Sequence, residues 1–276
     1  MKVSRPDGNE HELYYRIARP MSMSSKQAKP IVALHGGPSI PSNYLYPLVD
    51  HIPYRSIIFY DQIGCGKSDE PEEVHQYSIE FAVNDLKALL KKLGVREFHL
   101  YGQSFGGILA YEYLKRQAEE GSIASDVTCL SVILSSAPSN VEQVEKEAER
   151  LVNEMDKKDD EDHAKTFRKT HQCRCDELPG PLQESYDAAG KVWRGTTAIS
   201  DYVATAPSED ATRLPSAMIM RGEYDFVTDA CIEKWKDLFN HNFVRYKTLV
   251  GCSHHGLLEN GSSYGDLVNA FFSEYD

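Results

Sequence analysis

Gly102-Gln103-Ser104-Phe105-Gly106 sets a serine between two glycines, each two positions away. That spacing suits a sharp strand-to-helix turn, because residues without Cβ let neighbouring backbones close on each other and lift the serine hydroxyl clear of the sheet. The pattern is short, and Gly261-Ser262-Ser263-Tyr264-Gly265 repeats it. Context separates the two copies. REFHLY at 96–101 reads as a strand leading into Ser104, and GGILAYEYLKR at 106–116 reads as a helix whose N-terminus favours developing negative charge. The second copy follows the polar LLEN at 257–260, where no such turn can form. Ser104 is therefore the predicted nucleophile.

A serine hydroxyl is a weak nucleophile near neutral pH, so a histidine must accept its proton and a carboxylate must orient that histidine. On a parallel sheet with this turn, the chain order runs serine, acid, histidine. His254 and His255 both follow the last predicted strand, and spacing alone leaves the choice between them open. For the acid, the stretch VILSSAPSN at 132–140 holds no carboxylate, whereas MIMRGEYD at 218–225 ends on Asp225 in a short turn. Asp225 ranks ahead of Glu223 and Asp229, which read as exposed loop charges. His35-Gly36-Gly37-Pro38 follows the strand PIVAL, where a loop donates one backbone N–H to an oxyanion. Gly37 and Phe105 are the expected donors. The GKS at 66–68 invites a phosphate-loop reading, but Asp61 stands where that motif requires glycine.

The elements needed to position these residues are legible. PIVAL, RSIIFYDQ, REFHLYGQ and TCLSVILSSA alternate with helix-like stretches at 78–93 and from 104, a rhythm of βαβ units on a parallel sheet. After Pro138 the rhythm breaks into a charged helical stretch and a segment containing Pro, Gly and aromatic residues. It resumes with SAMIMRGEYD, a helix over 229–240, FVRYKTL and a last helix. The expected organisation is one catalytic domain, 1–138 and 208–276, with a cap insertion at 139–207. The charge run at 156–162 reads as a solvated loop.

With 30 Lys and Arg against 42 Asp and Glu, the net charge of -12 disfavours phosphate backbones and anionic lipid surfaces. The N-terminal residues lack an apolar signal segment, and no stretch is apolar for the length a bilayer requires. A cytoplasmic protein is expected, with no nucleic-acid or membrane partner and its oligomeric state open. The six cysteines are scattered without disulfide-framework spacing and are expected as thiols. Cys173 and Cys175 near His171 lack the paired spacing of a zinc site, so neither metal nor cofactor is expected.

HGGPSI at 35–40, DQIGCGKS at 61–68, GQSFGG at 102–107, RGEYDFVTD at 221–229 and GCSHHGLLE at 251–259 together resemble the proline iminopeptidase family, in its order and spacing. The resemblance implies an α/β-hydrolase fold: a mostly parallel central sheet flanked by helices, with a small helical cap inserted after the sixth strand. It places the nucleophile on Ser104, the acid on Asp225 and the base on His254. Family members remove an N-terminal residue, often proline, and hold the substrate ammonium with carboxylates. Here one such position is Phe226 and a second falls on Ala198, while Ser39 replaces a family glycine. Gly36, Phe226, Trp193 and Tyr186 are the expected substrate-binding residues, with Leu178 and Tyr202 as further candidates for an apolar cap lining. The resemblance thus implies a serine hydrolase forming an acyl-enzyme on a small-molecule or short-peptide substrate, as an aminopeptidase or amino-acid amidase. The missing carboxylates open the alternative of an esterase, lactonase or acyltransferase for a neutral metabolite, unless Glu223 or Glu259 binds the amine. A ligand-binding protein without turnover is the remaining alternative.

Overall fold

IVAL at Ile31–Leu34 and IIFY at Ile57–Tyr60 are buried at every position, a pattern that strands sustain only when both faces of their sheet are covered. The computed structural model of the chain describes residues 1–20, 28–121, 127–155, 163–239 and 244–276. Its strands are β1 (Lys2–Ser4), β2 (Glu10–Glu12), β3 (Tyr15–Ala18), β4 (Ile31–Leu34), β5 (Ile57–Tyr60), β6 (Glu97–Gln103), β7 (Thr128–Ser135), β8 (Ser216–Gly222) and β9 (Val244–Leu249). Helices are α1 (Leu48–His51), α2 (Ile79–Leu93), α3 (Phe105–Glu120), α4 (Val141–Glu154), α5 (His163–Phe167), α6 (Gly180–Asp187), α7 (Asp229–Ile232), α8 (Trp235–Leu238), α9 (Gly256–Glu259) and α10 (Gly261–Ser273).

β1 and β2 form a separate antiparallel pair. The large sheet runs β3-β5-β4-β6-β7-β8-β9, with β3 antiparallel to β5 and every other neighbour parallel. One face packs Leu86 and Leu89 of α2 and Ile108 and Leu109 of α3; the other packs Leu48 of α1 and Val268 and Phe272 of α10. The expected mostly parallel sheet with flanking helices is thus present. Ser78 caps α2 by accepting from Phe81 N at 3.0 Å.

Between β7 and β8 lie α4, α5, a π-helical turn at Arg168–Gln172, α6 and a short 3-10 turn at Thr196–Ile199. This insertion follows the seventh strand of the chain, the fifth of the large sheet, where the sixth was expected. β1 to β3 are three or four residues each, too short to display a period. The ends of the insertion meet: Asn140 pairs antiparallel with Val203, and Ala204 N donates to Ser139 O at 2.8 Å. The charge run at 156–162 lies outside the described residues.

The single helix expected over 229–240 is instead α7 and α8, with position 240 outside the described residues. The break turns Trp235 into the core, where its indole N–H donates to Ala137 O at 2.8 Å. The last helix is also divided, and Asn260 caps α10 by accepting from Ser263 N. Ser263 therefore sits exposed in the first turn of a helix, away from any strand end. Among the described residues no helix is long and apolar enough to cross a membrane.

Candidate active site

The carboxyl ends of β4, β6, β8 and β9 carry the four predicted loops to one edge of the sheet, where parallel α/β proteins bind their ligands. At the end of β6, Ser104 adopts φ 55° and ψ -122°, a sparsely populated conformation costing about 1–3 kcal/mol. Two contacts explain the flanking glycines. A Cβ on Gly106 would lie 2.1 Å from Leu34 O, and one on Gly102 would lie 2.3 Å from Gly106 O. Without those side chains β6 turns directly into α3, and Ser104 N is held by Ser135 O at 2.8 Å.

His254 Nδ1 donates to Asp225 Oδ1 at 2.8 Å, and the same oxygen accepts from Val227 N at 2.9 Å. Asp225 is 2% exposed and His254 7%. Asp225 Oδ2 is buried with no hydrogen-bond partner among the described residues. The competing carboxylates are engaged elsewhere: Asp229 pairs with Arg221 at 2.6 Å, and Glu223 accepts from Gly251 N at 2.9 Å. His255 is fixed differently from His254. Its ring meets the edge of Tyr44 at 5.2 Å and His254 at 5.3 Å, and burial, then the neighbouring His254, push its pKa well below the ordinary histidine value.

A hydrogen-bond chain ties the loops together. Gly36 N donates to Tyr44 Oη at 2.7 Å, Tyr44 donates to Gln103 Oε1 at 2.6 Å, and Gln103 Nε2 reaches His254 O at 3.3 Å. His35 supports the glycine loop from below. Its Nδ1 donates to Gly36 O at 2.9 Å and its Nε2 accepts from Gln62 N at 2.9 Å, while burial lowers its pKa and favours the neutral ring that this pairing needs. Asp61 organises the 61–68 loop by accepting from Ser42 Oγ at 2.7 Å and Lys67 N at 3.0 Å. Neither Gly37 N–H nor Phe105 N–H has an acceptor among the described residues.

Gly36, Gly37, Ser104, Tyr186, Phe226 and His254 line one cavity of about 130 Å³, joined by Ile40, Tyr44, Gln103, Gln172 and His255. Phe226 lies against the histidine, ring centroids 4.3 Å apart. No carboxylate lines this cavity among the described residues. Trp193 corrects the expectation set for it: it is not part of the lining. Its indole stacks on Tyr77 at 5.9 Å and meets Phe105 edge-on at 5.4 Å, with Nε1 donating to Ala198 O, so it buttresses the residue after Ser104. Leu178, Tyr202 and Ala198 are likewise outside the lining. Glu223 and Glu259 do not reach it; Glu259 accepts from Ser253 N and Ser253 Oγ, both at 2.5 Å.

Tyr44, Gln103 and Gln172 were not singled out from the sequence. Gln103 sits inside the serine motif and could have been; Gln172 carries no local signal. The cysteines are free thiols. Among the described residues no cluster of His, Cys, Asp and Glu could hold a metal, and His171 and Cys175 turn to Tyr224 O and Leu258 O respectively.

The α/β-hydrolase fold family matches residues 29–261. A proline iminopeptidase of Saccharolobus solfataricus is 27% identical over 95% of this chain and 89% of its own length. One from Lactobacillus helveticus is 38% identical over 51% of this chain and 46% of its own, so that match spans about half of each. The crystal structure of a Mycobacterium smegmatis proline iminopeptidase superposes with a TM-score of 0.84 at 21% identity, covering 100% of this chain and 98% of that one. An esterase from Exiguobacterium antarcticum gives 0.69 at 20% identity, covering 99% and 98%. The chain belongs to the α/β-hydrolase family, is related to the proline iminopeptidases within it, and is a hydrolase.

Proposed function

We propose that the chain is a serine hydrolase that cleaves esters or amides of small, neutral acyl groups through an acyl-enzyme on Ser104. His254 takes the Ser104 proton as the hydroxyl attacks the carbonyl, and Asp225 holds the ring through Nδ1 and stabilises the imidazolium. The tetrahedral oxyanion faces the uncommitted N–H groups of Gly37 and Phe105, the latter opening α3 with its favourable dipole. His254 then protonates the leaving group, and a water activated by the same ring releases the acid.

The observation carrying the neutral-substrate reading is the lining of the cavity shared by Ser104 and His254. Ile40 and Phe226 are apolar, and Gln172, Tyr186 and the neutral His255 offer hydrogen bonds without charge. A substrate ammonium there would lose hydration without a countercharge, at a cost of several kcal/mol. The size also bears on the reading, since an engineered cavity of about 150 Å³ holds benzene and acyl groups of about that size therefore fit. A second reading, release of an N-terminal residue, is favoured by the relatives named proline iminopeptidase.

The test compares kcat/KM for p-nitrophenyl butyrate and prolyl p-nitroanilide, with Ser104→Ala as the blank. The ester is expected to be turned over, with activity falling by about 10³-fold or more in the variant. Preference for the anilide would overturn the neutral reading in favour of the second, and turnover that survives Ser104→Ala would overturn both.

A further inference from the structure

The turn at Arg168–Gln172 is wound as a π-helix, closed by Cys173 N donating to Arg168 O at 2.8 Å. Such widened turns are rare and concentrate at functional sites. The last carbonyls of a helix lack intrahelical partners, and two of them here face the loop after β9. His171 O accepts from His254 N at 3.3 Å, and Gln172 O accepts from His255 N at 3.0 Å. The same residue also reaches the loop after β8, where His171 Nδ1 donates to the carbonyl of Tyr224 at 2.8 Å. Tyr224 directly precedes Asp225. One cap residue therefore grips both partners of the Asp225–His254 pair, by its carbonyl on one side and its ring on the other.

We propose that His171 is a positioning residue: it fixes the spacing of the acid and base loops so that His254 keeps its alignment with Asp225 and Ser104. This rests on the serine-hydrolase reading above. The side chain is well placed for the task. It is 9% exposed and braced by the Phe167 ring at 5.1 Å, and Phe167 in turn lies 6.2 Å from Phe226, the ring against His254. A carbonyl can only accept, so this bond fixes the hydrogen on Nδ1 and with it the orientation of the ring. The cap thereby contributes to the reaction from outside the cavity, through a side chain that does not touch the substrate.

Three substitutions test this. Asn places an amide N–H where Nδ1 stands, Gln carries it one carbon further to the place of Nε2, and Leu removes it. With p-nitrophenyl butyrate, His171→Gln and His171→Leu are expected to lose about 10- to 100-fold in kcat, as a misaligned catalytic group does. KM should stay within about threefold, because the lining is untouched. His171→Asn should recover kcat to within about threefold of the native enzyme. If Leu does not fold, the Asn and Gln pair still decides. Equal kcat in Asn and Gln, or a loss confined to KM, would overturn the proposal. Failure of the underlying reading looks different: Ser104→Ala would then retain activity, whereas a failed positioning role leaves Ser104→Ala inactive and all His171 variants native-like.

Discussion

If the missing countercharge decides what the cavity accepts, restoring one at position 226 must change the preference. Phe226 lines the cavity with its ring 4.3 Å from that of His254, so a glutamate there brings a carboxylate to about 5 Å from an ammonium seated beside Ser104. At that distance, with an effective dielectric of about 20, the attraction is about 3 kcal/mol. Desolvating the new carboxylate removes part of it, leaving about 1.5–2 kcal/mol, or about 10- to 30-fold in a rate ratio. Loss of the aromatic contact on His254 slows every substrate, so the quantity to read is kcat/KM for prolyl p-nitroanilide divided by that for p-nitrophenyl butyrate. Phe226→Glu should raise the ratio by that factor, and the uncharged Phe226→Gln should not. Equal ratios in the two variants, with Ser104-dependent turnover intact in both, would refute the electrostatic account of the cavity.

Acid sensitivity should trace in part to His99, whose Nδ1 pairs with Ser131 Oγ at 2.8 Å and Nε2 with Asp276 at 3.2 Å. Burial lowers its pKa from 6.5 to about 4, so the unfolded chain takes up the proton first; this stability is full above about 6.5 and is withdrawn as pH falls toward 4. Between pH 7 and pH 5 the loss is about 2 kcal/mol, and urea unfolding should show His99→Gln losing that much less than the native chain over the same interval. Asp276, held down to about 2 with Arg55 and His99 as partners, titrates below that window. Gly190→Ala should unseat the cap, because the new Cβ would lie 1.6 Å from Gly64 O, whereas Gly180→Ala meets open space. About 2 kcal/mol of overpacking should lower Tm by about 3–4 °C in the first variant and leave the second near native, as differential scanning calorimetry would report.

The local geometry of the sheet edge was readable because it rests on short-range rules. Glycines at 102 and 106 announce a close crossing, a strand buried over all but its first residue precedes the turn, and a carboxylate and histidine follow later strands in the expected order. Phe226 became informative only against a family pattern, since its type alone says core. What periodicity could not supply is which way the cap faces. Trp193 and Tyr186 look equally suited to line a pocket, yet one braces Phe105 and the other lines the cavity shared with Ser104, because the outcome depends on how α6 and the segment after it seat on the framework loops. The contacts of His171 and Gln172 with the loop after β9 were also hidden, since they use backbone carbonyls, which every residue has, and the His171 ring bond to Tyr224 depends on how the cap seats. β1 to β3 escaped notice for their brevity, and the interruption at Trp235 because a helical pattern does not reveal where tertiary packing divides it.

The pairing of Asn140 with Val203 and of Ser139 with Ala204 brings the two ends of the cap side by side at the rim of the sheet. A segment that departs and returns at one place adds little closure entropy to the framework whatever its length, because that cost grows only with the logarithm of the loop. The framework can therefore accept a foreign cap as a graft, joined at 139 and 204, with the serine turn unchanged beneath it. What such a graft has to reproduce is the pair of carbonyls offered at positions 171 and 172, the ring hydrogen bond to Tyr224, the Trp193 brace on Phe105 and the seat of Gly190 on Gly64; the residues that line the cavity are then free to change its shape.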